Sequence, residues 1–190
     1  MSSAGFAILR NQLEEWGYRV QAEVLTGKEF NVIENRERMA LVAVTEGIEF
    51  DFAAVERPTP ASLRLGDYLD DVSADSPLWS EMSYLKEKEA RDKAAGKGFA
   101  MQLFNEESTR ISTIGRGYAK VRSTEPKLQH PTNPALLRQL TPAEHARVKG
   151  NLPILIEGMA ATRAHEVLGQ SVLSAVFRAV AKALGVAARI

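Results

Sequence analysis

The chain has 190 residues, 45% of them apolar and 25% charged, enough to bury one sizeable core and too few for two full domains. It contains no cysteine, which excludes disulfides, thiolate nucleophiles and cysteine-ligated zinc, and makes a reducing, cytoplasmic setting the expectation. The zero net charge hides a split: residues 1–99 carry 12 Lys and Arg against 18 Asp and Glu, residues 100–190 carry 12 against 6, so an acidic half precedes a basic one.

Phe6, Leu9, Leu13 and Trp16 recur at helical steps, which predicts an amphipathic helix over residues 3–16 ended by Gly17. The same residues lack the basic start and unbroken apolar run of a signal peptide. From Tyr18 the period changes to two, with Val20, Ala22 and Val24 on one face of a strand. A turn at 26–28 leads to a second strand with Phe30 and Val32, a third with Met39, Leu41 and Ala43, and a fourth with Ile48, Phe50, Phe52 and Ala54. This reads as an antiparallel meander covered by the first helix.

Pro58 and Pro60 interrupt the chain, and a short helix is expected around 63–71. Ser76-Pro77 opens a helix running to about Ala95, whose second half, KEKEARDK, is charged and solvent-facing. Beyond Gly96 and Gly98, the stretches 99–103 and 110–121 read as two strands joined by NEES. A proline-rich loop, 123–141, follows. Thr141-Pro142-Ala143-Glu144 is a helix start with a capping box, and after Gly150 and Pro153 a second helical run extends almost to the end. The fold class is α+β: an N-terminal helix on an antiparallel meander, a further strand pair and C-terminal helices. The expected organisation is an α+β domain over 1–150 with a helical extension, 151–190, that packs on it or mediates oligomerisation.

No motif declares a chemistry. His130, His145 and His165 stand apart without an HExxH pattern and read as structural; Asp67, Asp70, Asp71 and Asp75 match no calcium loop. TGKE at 26–29, GKG at 96–98 and GRG at 115–117 fall short of a nucleotide fingerprint. A nuclease-like hairpin over 27–45 lacks its acid and Glu-x-Lys, with Asn31, Ala43 and Thr45 in those places. No cofactor, metal or catalytic residue is indicated, and the chain reads as a non-enzyme. Two surfaces remain for a partner: Arg116, Tyr118, Lys120 and Arg122 on the strand pair, and the stripe Leu173, Phe177, Val180 and Leu184 on the last helix.

The segments LRNQLEEWGYRV, FNVIENRERMALVAVTEGIEFDFAAV, GKGFAMQLFNEESTRISTIGRGYAKV and TPAEHARVKGNLPILIEGMAATRAHEVL follow in an order that resembles bacterial type III secretion chaperones and the related YbjN-type fold. That resemblance spans most of residues 1–168. It implies a homodimer gripping an extended segment of another protein, with Phe30, Val32, Phe50 and Phe52 supporting the surface. The leading expectation is a non-enzymatic, chaperone- or adaptor-like protein-binding module. The alternatives are nucleic-acid binding through the basic half, with Arg110 beside the strand-pair residues, and membrane-surface association through the C-terminal helix.

Overall fold

The computed structural model describes residues 4–189. Helix α1, Ala4–Glu15, ends where the Gly17 N–H donates to Glu14 O and the Tyr18 N–H to Leu13 O, both at 3.0 Å, with Gly17 at φ 85°. Glycine takes this left-handed conformation without a Cβ penalty and turns the chain into β1, Arg19–Thr26. Residue 3 of the expected helix lies outside the described residues.

Strand β1 pairs antiparallel with β3, Glu37–Val44, in a register running from Arg19 opposite Val44 to Thr26 opposite Glu37. Alternation sets the two faces of this ribbon. Ala40, Val42 and Val44 look into a core shared with Leu25, Phe30, Phe50 and Phe52 and with Leu173, Val176 and Val180 from the C-terminal helix. The opposite face carries Val20, Ala22, Val24, Met39, Leu41 and Ala43.

The expected four-stranded meander is corrected here to this two-stranded ribbon. Phe30 and Val32 are not in a strand: Thr26 and Glu29 form a capping box that winds Gly27–Phe30 into a 3-10 turn, and Asn31 then takes a left-handed conformation. Ile48 to Ala54 is likewise irregular. Asp51 accepts the Ala53 N–H at 2.8 Å to cap a 3-10 turn, while Phe50 and Phe52 pack edge to face at 5.1 Å in the core. The alternation there is that of a segment tucking every second side chain inward, without a neighbouring strand to bond.

Helix α2 begins at Ser83, well after Ser76-Pro77, and ends at Ala94 ahead of Gly96 at φ 69°. The two strands read at 99–121 do not pair with each other. Instead β4, Leu103–Phe104, runs parallel to β6, Lys127–Gln129, which is antiparallel to β7, Leu137–Arg138; β5, Ile111–Ser112, runs parallel to β2, Glu34–Asn35. These strands frame a second core of Ile33, Leu65, Ile111, Ile114, Tyr118, Leu128, Leu140 and Val148.

Helix α3, Pro142–Val148, starts at the expected capping box: Thr141 Oγ1 accepts the Glu144 N–H at 3.2 Å and Glu144 Oε2 accepts the Thr141 N–H at 2.7 Å. Helix α4, Ala161–Gln170, and helix α5, Ser174–Ala187, follow, separated by a break at residues 171–173. The mixed helix-and-strand class therefore holds, while the arrangement of strands differs.

A buried charge network ties the two cores. The Glu34 carboxylate accepts the Ile114 N–H at 2.8 Å and the Lys149 ammonium at 2.8 Å, and Arg36 beside it donates to Ile114 O at 3.3 Å and Gly169 O at 3.1 Å. Four segments distant in sequence meet at this cluster. A second pair, Arg138 with Glu144, is bidentate at 2.6 and 2.7 Å and equally buried. Gly169 is required by proximity: a Cβ there would lie 2.4 Å from the backbone of Gly115.

Candidate nucleic-acid interface

A cleft of about 750 Å³ opens between the segment after β1 and the two strands that pass beside it, lined by Lys28, Glu29, Asn31, Val32, Ile33, Asn35, Pro60–Leu63, Thr109 and Arg110. Its walls are pinned by the backbone. The parallel pairing of β2 and β5 draws Thr109 and Arg110 beside Asn35, with the Ile111 N–H donating to Ile33 O at 3.0 Å and Thr113 Oγ1 to Asn35 O at 2.7 Å. On the other side Asn31 clamps the proline segment: its Nδ2 donates to Thr59 O at 2.9 Å and its Oδ1 accepts the Ala61 N–H at 3.0 Å.

The floor is apolar, with Val32 and Ile33 buried and Leu63 half-buried; Lys28 and Arg110 are exposed at the rim. Neither cation has an ion-pair partner among the described residues. The single acid, Glu29, is already committed to Thr26 and Arg57. Burial opposes its ionisation, but the hydrogen bonds from the Thr26 amide and hydroxyl and from Arg57 outweigh it, holding its carboxyl below the usual range. An open groove with free cations at its rim suits a phosphate backbone.

A second cleft, about 700 Å³, is lined by Asp70, Asp71, Glu106, Glu107, Trp79 and His130. Its Arg138 is neutralised by Glu144 and lies over Trp79 at 5.1 Å. Repulsion from the acids makes it the poorer place for a phosphate.

The residues singled out in the sequence fall elsewhere. Arg116, Tyr118, Lys120 and Arg122 do not share a strand face, because Tyr118–Lys120 is a 3-10 turn. Tyr118 is buried, its hydroxyl donating to Pro126 O at 3.1 Å and accepting the Leu140 N–H at 2.8 Å, so its ring is not presented for stacking. Arg116 pairs with Glu166 at 2.6 Å, while Lys120 and Arg122 are exposed. Leu173 and Val180 are buried in the first core and Phe177 and Leu184 pack against it, so the apolar stripe of α5 is turned inward and not toward a membrane. Among the described residues no single helix is long and apolar enough to cross one.

Arg110 does reach the cleft rim. In the sequence Lys28 reads only as part of the turn at 26–28, Asn31 as the neutral residue in the second strand where a nuclease-like hairpin would carry an acid, and Asn35 as the start of a polar hairpin connection. The signal at Asn35 is the polar run Glu34-Asn35-Arg36-Glu37-Arg38, which interrupts the apolar alternation just where the chain doubles back. The histidines also come together unexpectedly: His145 Nδ1 lies 3.0 Å from His165 Nδ1, both rings buried against Tyr118. Among the described residues no three or more His, Asp or Glu side chains are grouped to hold a metal ion.

The family model for C-5 cytosine-specific DNA methylases matches residues 2–186. The chain is 33% identical over 184 residues to the type II methyltransferase M.SsoII of Shigella sonnei, covering 93% of this chain and 47% of that protein. It is 33% identical over 181 residues to the type II methyltransferase M.NlaX of Neisseria lactamica, covering 92% and 55% respectively. It thus spans about half the length of the curated relatives it matches. Among solved structures it shares its fold with the S. pombe Dnmt2 methyltransferase, at a TM-score of 0.81 and 19% identity over 99% of this chain and 62% of that one, and with the Entamoeba histolytica methyltransferase EhMeth, at 0.70 and 19% over 96% and 58%.

These matches overturn the resemblance to type III secretion chaperones and YbjN-type proteins. With it go the readings as a non-enzymatic, chaperone- or adaptor-like homodimer and as a membrane-surface protein. Element order alone misled, because a helix, a strand ribbon and later helices recur in many folds. The chain belongs to the C-5 cytosine-specific DNA methylase family.

Proposed function

We propose that this chain forms the DNA-engaging portion of a DNA cytosine-5 methyltransferase, holding duplex phosphates along the cleft between Lys28 and Arg110. The observation that carries this reading is the family match over residues 2–186; the free cations at the cleft rim support putting the contact there. Asn31, Asn35, Ser62 and Thr109 supply neutral donors and acceptors between the cations, the mixture that fixes register on a backbone. An enzyme that alters a base must also take it out of the stack, and an apolar cleft floor flanked by phosphate contacts suits an extruded nucleotide. The relevant compartment is the reducing one that holds the cell's DNA, in keeping with the absence of cysteine.

The reaction of this family transfers a methyl group and implies a donor such as S-adenosylmethionine. The described residues do not fit a nucleoside cofactor by themselves. Among the described residues no strand passes through a glycine turn into an α-helix in the manner that cradles such groups: β1 runs into the 3-10 turn Gly27–Phe30, and β5 is followed by Gly115, Gly117 and the 3-10 turn Tyr118–Lys120. Their part in the reaction is to bind and orient DNA.

Fluorescence anisotropy on a labelled duplex tests the reading. Affinity falls steeply with salt for the natural chain, and Lys28→Glu with Arg110→Glu weakens binding and lowers the slope of log affinity against log salt by about 2. Binding unchanged by that double reversal contradicts it.

A further inference from the structure

The acid-lined cleft holds charge that the fold does not use. Of the four carboxylates lining it, Asp70 is taken by Arg147 and Thr141, and Glu107 by Arg64. Glu106 reaches only the same exposed Arg64, at 3.5 Å, and the Asp71 carboxylate has no ion-pair or hydrogen-bond partner among the described residues. The backbone N–H and C=O of Asp71 are unpaired there as well. Free carboxylates on their own collect counter-ions and specify nothing.

A second observation comes from beneath the rim. Arg138 lines the same cleft, and its side chain is only 3% exposed. Its terminal nitrogens are held by Glu144 and by Gln139 O, but its Nε has no hydrogen-bond partner among the described residues. Buried donors are nearly always paired, so this one calls for an acceptor brought from outside. It sits close to Asp71, since the neighbouring Asp70 N–H donates at 2.8 Å to the Glu144 carboxylate that grips Arg138. The half-buried Trp79 ring lies 5.1 Å from the guanidinium, and Leu69 and Val72 add to the apolar wall.

We propose that this cleft docks an extended, arginine- or lysine-bearing segment of another protein. A carbonyl of the segment accepts from Arg138 Nε, its backbone pairs with the free N–H and C=O of Asp71, and its cation sits between Asp71 and Glu106 with the methylene stem over Trp79. A metal ion or a polyamine would satisfy the carboxylates and leave Arg138 without its acceptor, and a nucleic acid would meet repulsion. This docking does not depend on the DNA reading, because a backbone wall separates the two clefts: the Leu65 N–H donates to Ser108 O at 2.8 Å and the Gly66 N–H to Glu106 O at 2.9 Å. Duplex and basic segment can thus be held at once.

Trp16→Phe leaves Trp79 as the sole tryptophan, so its emission reports on the cleft. The probe is the peptide Gly-Arg-Ala-Lys-Gly, acetylated and amidated to remove its terminal charges, titrated beside spermidine, which is more highly charged but has no peptide group. A saturable change in Trp79 emission is expected, with affinity for the peptide about tenfold or more above that for spermidine. Asp71→Asn with Glu106→Gln, both at exposed positions, is expected to weaken the peptide by about tenfold or more while circular dichroism and duplex affinity hold.

An emission that does not respond to the peptide overturns the proposal, and so does a response indifferent to the two substitutions. Spermidine binding as tightly as the peptide reduces the cleft to a collector of cations and also overturns it. Duplex affinity lost on Asp71→Asn with Glu106→Gln assigns these carboxylates to base amines and overturns it as well. A duplex indifferent to Lys28→Glu with Arg110→Glu, with peptide binding intact, removes the placement of DNA and leaves the docking cleft standing.

Discussion

Glu34, Arg36 and Lys149 are the residues on which the seam between the two cores depends. A carboxylate, a guanidinium and an ammonium are buried together, each with backbone or ionic partners. Burial draws the Lys149 ammonium below its ordinary pKa even though the Glu34 carboxylate opposes that shift. Such a cluster costs desolvation to form, so its net worth is small, but removing one charge leaves the other without its counterpart. Lys149→Met should therefore destabilise the fold by about 3–5 kcal/mol, read as a lowered urea midpoint. Glu34→Leu added to it should recover only part of that loss, because no carboxylate is then left facing a missing ammonium, but buried Arg36 loses its counter-charge and the Ile114 N–H its acceptor. A double variant as unstable as the single one would show that the amide of Ile114, rather than the ammonium, is what Glu34 chiefly satisfies.

Between elements, the analogous contact is His145 against His165, which holds α3 to α4. One Nδ1 must donate to the other across 3.0 Å, so the contact requires at least one neutral ring. Burial, then the nearby Lys149, His165 and Arg36 charges, pushes His145 down to about 2, and burial lowers His165 as well. The unfolded chain takes up these protons near pH 6.5 whereas the folded one does not, so stability is intact above that pH and falls as pH drops below it. Each proton withheld costs about 1.4 kcal/mol per pH unit. Urea midpoints should drop from pH 7 to pH 5, a window above the carboxylate range, and His145→Phe should flatten the dependence.

That contact was not legible in the sequence, since 20 residues separate the rings and neither has a histidine one turn away. The α1, β1 and β3 elements were legible, because their side chains alternate at 3.6 and at 2 over many residues. The capping box at Thr141 was legible because its chemistry is local. Strands β4 to β7 were not, at two or three residues each, because no period develops in so short a run and parallel partners are set by distant segments. For the same reason Arg110 was visible as a cation, but its place opposite Lys28 was not.

At the scale of the whole molecule, charge serves two separate purposes. Part of the split between an acidic first half and a basic second half is consumed internally, by Glu34 with Lys149, Asp70 with Arg147 and Glu56 with Lys182. The Glu34 pair is sealed from solvent and feels little ionic screening; the Glu56 pair is exposed and contributes little at any salt. What remains for an external partner is the unpaired set, with Lys28 and Arg110 at the cleft. Salt should therefore separate the two uses. Two phosphate-neutralising cations imply an affinity loss of about 60-fold for a tenfold rise in salt. Raising sodium chloride from about 50 to about 500 mM should thus strip the duplex from the chain while the urea midpoint stays nearly fixed. A parallel fall in both would mean that the basic half holds the fold together and has no charge to spare for DNA; a midpoint that holds while DNA dissociates would separate the fold's ion pairs from the cations that meet the duplex.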